Sequence, residues 1–333
     1  MMEEVSDEVA ERTWGKYLHI ASLGVVVEKE KIRVVHDASH GVQINHRIRT
    51  QDQLRMPGAG EIRALLGEYR ETGKTTFGLL GDASKAHRRV KVHQRDWGFQ
   101  ACRLRKGHVW VNKVGTYGVA SAGYWWGRLA AAILVRLPYY MIGSRWSPEF
   151  LLFADDWFAQ GAAASELGDL GVLVLILTSL GVPLKWSKFR GGQVVTWIGY
   201  EVDLKEHRVG ITEVRAKWLR DWLRECVRQK TVDLADLLGV LGRMAFAMGP
   251  LDYMRPFISP IYSWSSAVGA RGKARLPWSM AFLFELLARI LDGPSRTLQV
   301  QLVAASLGEA FRADAKAEGM TVVVGGWESL GGR

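Results

Sequence analysis

The chain has 333 residues, 48% hydrophobic and 23% charged, the composition of a folded globular protein longer than one compact core usually supports. Its 44 Lys and Arg against 34 Asp and Glu leave a formal charge of +10, which favours a polyanionic partner, nucleic acid or an anionic membrane surface, over the plainer alternative of solubility alone. Cys102 and Cys226 lie outside any ligand-like cluster, which argues against a disulfide framework or zinc site, and from the acidic start MMEEVSDEVAER no signal peptide is expected.

In chain order, β-rich runs at 23–27 and 32–36 flank Glu28–Glu30 and predict a hairpin. Pro57-Gly58 then breaks the chain before an amphipathic helix at 61–69. A strand at 76–80 runs into Gly81-Asp82, and strands at 97–103 and 109–113 turn at Gly107. Residues 120–136, rich in Ala, Leu and aromatics, predict one long helix. An apolar strand at 150–154 runs straight into Asp155-Asp156, and 165–180 is helical. The most apolar stretch, 170–182, is interrupted by Gly171, Thr178 and Gly181 and is too short to span a bilayer. The expectation is a soluble, intracellular protein, cytoplasmic or nuclear. Short strands at 185–189 and 194–198 and a hairpin over 200–211 follow, then helices at 213–229, 234–247, 253–266 and 278–291. Strand character returns at 311–315 and 321–325.

Phe153-Ala154-Asp155-Asp156 is the sharpest local feature: an apolar strand ending in two acids puts a carboxylate at the strand's mouth. Alone, such a pair is more often a turn or a helix N-cap. Asp82 also ends an apolar strand. If the two strands are neighbours, the acids converge on the hard oxygen set that Mg²⁺ requires, and a pair of such ions can clamp the attacking and leaving oxygens of an in-line phosphoryl transfer.

The ordered series of motifs from Leu23 to Leu204 resembles that of reverse transcriptases. Lys31-Ile32-Arg33-Val34-Val35-His36-Asp37 with Asn45 is similar to the fingers motif, and Gly81-Asp82 through Val90-Lys91-Val92 to the first metal-binding motif. Gly118-Val119-Ala120-Ser121-Ala122 resembles the turn that opens the template-side helix. Phe153-Ala154-Asp155-Asp156 stands where the family has aromatic-x-Asp-Asp. Leu180-Gly181-Val182, Lys188 and Trp197-Ile198-Gly199-Tyr200 resemble the next motif and the primer grip.

The resemblance implies roles. Asp82 and Asp155 would be the main ligands of two Mg²⁺ ions, with Asp156 adjacent and secondary and Mn²⁺ as an alternative metal, and Lys188 would protonate the leaving pyrophosphate. Arg33, with Lys29 and Lys31 beside it, would grip the incoming dNTP, lined also by Ala83, His87, Tyr117 and Gly118. His87 stands where the family has Tyr or Phe beneath the sugar. Trp197, Gly199 and Tyr200 would hold the primer. Lys217, Arg220, Arg224 and Arg228 recur at helical spacing opposite an apolar face and suit a duplex backbone. A second basic run, Lys85, Arg88, Arg89, Lys91, His93 and Arg95, suits a template track.

The implied fold is α+β, a right-hand polymerase with fingers (1–75), a mixed α/β palm built on an antiparallel sheet (76–211), and a helical thumb or connection (212–295). Residues 305–333, with Asp314 on the first strand, resemble the opening hairpin of a ribonuclease H domain, stopping short of its remaining acids. The implied activity is RNA-directed DNA polymerisation on an RNA or DNA template-primer. The alternatives are a degenerate relative that binds nucleic acid without catalysis and a two-metal nuclease.

Overall fold

The computed structural model describes residues 1–28, 31–143, 148–162, 167–269, 271–301, 309–318 and 321–330; for Glu28, Lys31, Ile142 and the residues from 309 on, the backbone alone is described. Strand β1 (Met2–Ser6) leads into helix α1 (Asp7–Trp14), the hairpin of β2 (Ile20–Glu28) and β3 (Lys31–Asp37), a short α2 (Ile44–Arg47) and α3 (Ala59–Thr72). Then come β4 (Thr76–Asp82), β5 (Ala101–Arg105), β6 (His108–Asn112) and α4 (Ala120–Ala131), which passes through a π-type turn at Ala132–Arg136 into α5 (Leu137–Ile142). β7 (Glu149–Phe153), β8 (Asp156–Ala162), α6 (Leu167–Ser179), β9 (Arg190–Gly192), β10 (Val194–Trp197), β11 (Tyr200–Asp203) and β12 (Arg208–Ile211) follow. The helical part comprises α7 (Glu213–Gln229), β13 (Thr231–Asp233), α8 (Leu234–Ala247), α9 (Arg255–Val268), β14 (Lys273–Arg275) and α10 (Trp278–Ile290). β15 (Thr297–Gln299), β16 (Glu309–Glu318) and β17 (Thr321–Leu330) end the described chain.

The central sheet has the order β7-β8-β4-β9 and is antiparallel throughout. Alternation along β4 and β8 sends side chains to two different cores. Trp157 and Ala159 pack with Trp126, Ala130, Leu170, Leu173 and Leu177 of α4 and α6. Leu80 and Phe158, on the opposite face, join a larger core with Ile62 and Leu66 of α3, the sheet β10-β11-β12-β15, and the buried stripes of α7 to α10. The helical part therefore shares its core with the central sheet. The remaining large sheet, β1-β6-β5-β2-β3, contains one parallel pair, β2 with β5.

Local chemistry explains the elements. Ile62, Leu66 and Tyr69 bury one face of α3, and the helix stops at Gly73, whose φ of 64° suits a left-handed cap. Ala216, Leu219, Leu223 and Cys226 form the buried stripe of α7. Asp233 caps α8 by accepting from the backbone N–H groups of Ala235 (3.0 Å) and Asp236 (3.2 Å). In β4, a Cβ on Gly81 would overlap the indole of Trp157, its cross-strand partner. Glycine there lets the indole fold across the strand.

Several expectations change. The strand expected at 97–103 is a tight helical turn over Gln94–Gln100, with β5 starting at Ala101; His93 Nδ1 caps the turn by accepting from the Arg95 N–H, and Trp97 Nε1 donates to the Val92 carbonyl at 2.8 Å. The strand expected at 185–189 is a tight turn over Trp186–Lys188, because the Lys185 N–H is already committed to the Asp82 carbonyl and Lys188 N–H turns back to the Lys185 carbonyl. The helix expected at 120–136 runs on to Ile142 through the π-type turn. Residues 2–14, where no element was expected, form β1 and α1, the latter capped by Ser6. No helix among the described residues is long and apolar enough to cross a membrane.

Replacing Gly81 by Ala is expected to lower stability by about 1–3 kcal/mol through overpacking against Trp157, measured as a shift in the urea unfolding midpoint. A loss under about 0.5 kcal/mol would contradict the packing described.

Candidate active site

Asp82 is the last residue of β4 and Asp156 the first of β8, and the register sets them directly opposite each other. Both side chains therefore lie on one face of the sheet. Asp155 occupies the two-residue turn between β7 and β8, where Phe153 pairs with Asp156. Ala154, the first turn residue, has φ 52°, as tight turns with a positive first φ require. Two bonds fix this turn: the Ala83 N–H donates to the Asp155 carbonyl at 2.9 Å, and the Trp126 indole N–H of α4 donates to the Ala154 carbonyl at 2.8 Å.

Lys188 joins the acids. Its ammonium donates to Asp82 Oδ2 and, at 3.3 Å, to Asp156 Oδ1. Asp82 is buried and Asp156 partly so. Burial pushes the Asp156 carboxyl above its ordinary value, Lys188 pulls it back, and Asp155 and Asp82 add to the rise. For Lys188, burial lowers the ammonium's value, but the bond to Asp82 and the charges of Asp156 and Asp82 outweigh it and leave it raised.

Two carboxylates converging on one cation have the hard-oxygen chemistry that suits Mg²⁺. Asp82 and Asp156 thus fit a shared ion, with Asp155 beside them on the turn. Among the described residues no group of three acid, His or Cys side chains is gathered tightly enough to hold a metal as the structure stands.

Around this pair the expected nucleotide residues assemble in part. The Tyr117 hydroxyl is pushed up by burial and by the charges of Asp155 and Asp82, against Arg33 and Arg88, so its ring stands within electrostatic reach of all four. The His87 ring lies 5.1 Å from the Tyr117 ring. Gly118, at φ 98°, is explained by its own chain: a Cβ there would overlap the His36 carbonyl oxygen. Asn45 braces this junction, donating to the Gly118 carbonyl (2.8 Å) and accepting from the Ala120 N–H (2.9 Å) at the start of α4.

Some expected contacts are corrected. Ala83 is fully buried, its methyl in the core and its N–H spent on Asp155, so its side chain faces no open site. Trp197 and Tyr200 are buried as well; Tyr200 stacks on Phe246 at 4.5 Å. Their role is to anchor the turn between them, Ile198 (φ 44°) and Gly199 (φ 91°), both left-handed as a two-residue hairpin turn demands. A β-branched residue at positive φ is a strained choice. Lys217, Arg220, Arg224 and Arg228 are paired with Asp221, Asp292, Asp292 and Glu225 respectively, and the Arg220 side chain is only 12% exposed. The stripe is largely neutralised. Lys29 lies outside the described residues, as does the side chain of Lys31. Asp314 sits on β16 opposite Gly325 of β17, with its side chain outside the description.

The sequence reading missed two cations that carry no carboxylate partner among the described residues. Arg215 lies 4.8 Å over the Phe246 ring and Arg243 4.0 Å over the Trp218 ring. Both border an open groove of about 530 Å³ between α7 and α8, floored by Gly239 and Gly242. Arg215 also packs against Gly199 of the Ile198-Gly199 turn. A second cleft, about 540 Å³, lies beside the start of α4 and is lined by Arg47, Lys91, His93 and Trp125.

His36 is 2% exposed, and neither of its ring nitrogens has a hydrogen-bond partner among the described residues. Burial depresses its titration, with Asp37, itself bound to His40 at 3.0 Å, opposing weakly. The fold therefore holds the neutral ring. Between that depressed value and the ordinary 6.5 the unfolded chain binds the extra proton, so stability is complete above about pH 6.5 and falls as pH drops into this window. His36→Leu should lose less stability than the unmodified chain between about pH 7 and about pH 5 in chemical denaturation. Parallel losses would show that the ring is not held neutral.

No protein-family model matches the chain. No curated protein matches it. Among solved structures, it is similar to the foamy viral protease-reverse transcriptase dRH in complex with double-stranded DNA, at TM-score 0.65 and 14% identity over 99% of this chain and 51% of that one. It is similar to the same viral protein with double-stranded DNA at TM-score 0.61 and 15% identity, covering 98% of this chain and 60% of that one. With RNA/DNA hybrid the values are 0.59 and 15%, covering 82% and 33%. The chain spans about half the length of the first of these. At this distance the likeness establishes architecture, and the chain has a reverse-transcriptase-like fold of antiparallel palm sheet, fingers and helical thumb.

Proposed function

We propose that the chain is an RNA-directed DNA polymerase that adds dNTPs to a primer 3′-end on an RNA or DNA template. The observation that carries this reading is the pairing of Asp82 with Asp156 across adjacent palm strands, with Asp155 on the turn they flank. Bound there, two Mg²⁺ ions would activate the 3′-hydroxyl and stabilise the leaving pyrophosphate.

The protein's own residues would do the rest. Arg33, on β3 and felt electrostatically at Tyr117, grips the triphosphate. The His87 ring, backed by Tyr117, fills the place beneath the sugar and opposes a 2′-hydroxyl sterically. Lys188, at the mouth of the acid pair, donates a proton to the departing pyrophosphate. The Ile198-Gly199 turn, pinned by buried Trp197 and Tyr200, positions the primer end. Arg215 and Arg243, each lying over an aromatic ring beside the α7/α8 groove, take the duplex, and the cleft with Arg47, Lys91, His93 and Trp125 takes the unpaired template. The viral relatives of the same fold are complexes with double-stranded DNA and with RNA/DNA hybrid, which supports such partners.

One observation favours a second reading, a non-catalytic nucleic-acid binder: Lys188 bridges the two facing acids, and no three-carboxylate cluster forms among the described residues. Primer extension on an RNA template separates the two. The proposal expects extension with Mg²⁺, and expects Asp82→Asn or Asp155→Asn to slow it by about 10³-fold, some 4 kcal/mol of transition-state stabilisation, while template-primer affinity holds. Folded protein that binds template-primer without extending it would establish the binder instead.

The corrected cation map has its own test. Replacing Arg215 and Arg243 together by Ala should weaken template-primer binding about tenfold and flatten its salt dependence. Replacing Lys217 and Arg228 should change affinity less than about twofold, since each already faces a carboxylate. The reverse order in a salt-titrated binding assay would restore the stripe.

A further inference from the structure

The turn that carries Lys188 is built onto the strand that carries Asp82. Ala83 bridges to Leu184, the Lys185 N–H donates to the Asp82 carbonyl at 2.9 Å, and the Lys188 N–H donates back to the Lys185 carbonyl at 2.8 Å. Two residues on, Arg190 pairs with Leu80 in the same sheet. The Trp186 and Phe189 rings meet across the turn in a tilted contact, centroids 4.8 Å apart. The stem of Lys188 is thus fixed relative to the acids, while its side chain is 45% exposed against 4% for Asp82. The ammonium can swing out to solvent; the carboxylate cannot.

From this asymmetry we infer that Lys188 is a charge placeholder, seated on Asp82 and Asp156 while the site holds no metal and displaced from them when a divalent ion enters. The inference rests on the reading of Asp82 and Asp156 as metal ligands. An ion shared between the two acids would sit between them, where the ammonium now lies against Asp82 Oδ2 and Asp156 Oδ1. Mg²⁺ requires its oxygens at about 2.0–2.1 Å, which an ammonium on the same oxygen prevents both by contact and by charge. The two cations exclude each other.

The arrangement has a use in each state. Without the ion, Lys188 compensates the buried Asp82 carboxylate and the facing Asp156, which would otherwise repel one another across the strand pair. With the ion in place, the released ammonium stays at the mouth of the site on its fixed turn. Metal entry is then tied to the repositioning of a cation on a neighbouring element, and part of the binding free energy goes into displacing it.

Mn²⁺ alone, without nucleotide or nucleic acid, titrated into the full chain by calorimetry with free-ion detection by electron paramagnetic resonance, tests this. Lys188→Met should bind Mn²⁺ about tenfold more tightly than the unmodified chain, because the competing charge is gone. Lys188→Arg, which keeps the cation, should bind no more tightly than the unmodified chain, and serves also if the Met variant folds poorly. Adding Asp82→Asn to Lys188→Met should abolish the gain. Equal, Asp82-dependent affinity with Lys or Met at this position would overturn the placeholder and leave the metal site standing. Tighter binding by Lys188→Arg would likewise overturn the placeholder. A gain that survives Asp82→Asn, or no Mn²⁺ binding by any variant, would overturn both.

Discussion

Bringing Asp82 and Asp156 face to face across adjacent antiparallel strands is the constraint that the rest of the molecule serves. Directly opposed residues stand about 5 Å apart, where two carboxylates repel by roughly 3 kcal/mol at an effective dielectric of about 20. A sheet accepts such a pair only if its register is held by other means and its charge is answered. The register is held by two cores, one on each face: Trp157 and Ala159 against α4 and α6, Leu80 and Phe158 against α3 and the thumb-side core. A one-residue slip would exchange every one of these side chains between faces. Lys188 answers the charge, from a turn hydrogen-bonded to Asp82's own backbone.

The supports farther out follow the same pattern, in which a buried or sterically committed residue positions an exposed one. Trp126 holds the Ala154 carbonyl and so the turn bearing Asp155. Asn45 links the Gly118 turn to the start of α4, and the Gly118 turn in turn lies on the backbone of β3, the strand that carries Arg33. Trp197 and Tyr200 bury their rings so that Ile198 and Gly199 can hold left-handed conformations at a hairpin tip. Because the helical part shares a core with Leu80 and Phe158, the groove bordered by Arg215 and Arg243 is set relative to the acid pair by packing rather than by a linker.

Much of this was legible in the sequence where the signal was local. Apolar runs ending in Asp82 and in Asp155-Asp156 marked strand mouths, and the 3.6-residue stripe of α7 marked a packed helix. What was not legible depended on partners distant in sequence. The cations of α7 read as an open face because Asp292, which pairs with Arg220 and Arg224, lies beyond three further helical segments. Trp197 and Tyr200 read as contact residues because nothing in their neighbourhood announces the core of Phe158 and Phe246 that takes them. Lys185 to Phe189 reads as a short strand, yet its hydrogen bonds go to Asp82 and back on themselves. The acidic first residues carry no element signal of their own, whereas Glu3, Glu4 and Asp7 pair with Lys113, Arg105 and Arg103 around β6 and β5.

The central claim is that Asp82, Asp155 and Asp156 form one metal-dependent polymerase site. Anomalous diffraction from crystals of the protein with a template-primer, a non-hydrolysable dNTP analogue and Mn²⁺ tests it most directly. The account predicts two Mn²⁺ peaks at the end of β4, bonded to Asp82, Asp156 and the neighbouring Asp155, with Lys188 moved off Asp82 and the analogue's triphosphate reaching toward Arg33. Mn²⁺ peaks absent from these carboxylates, with Lys188 still seated between Asp82 and Asp156 in the presence of template-primer and nucleotide, would contradict it.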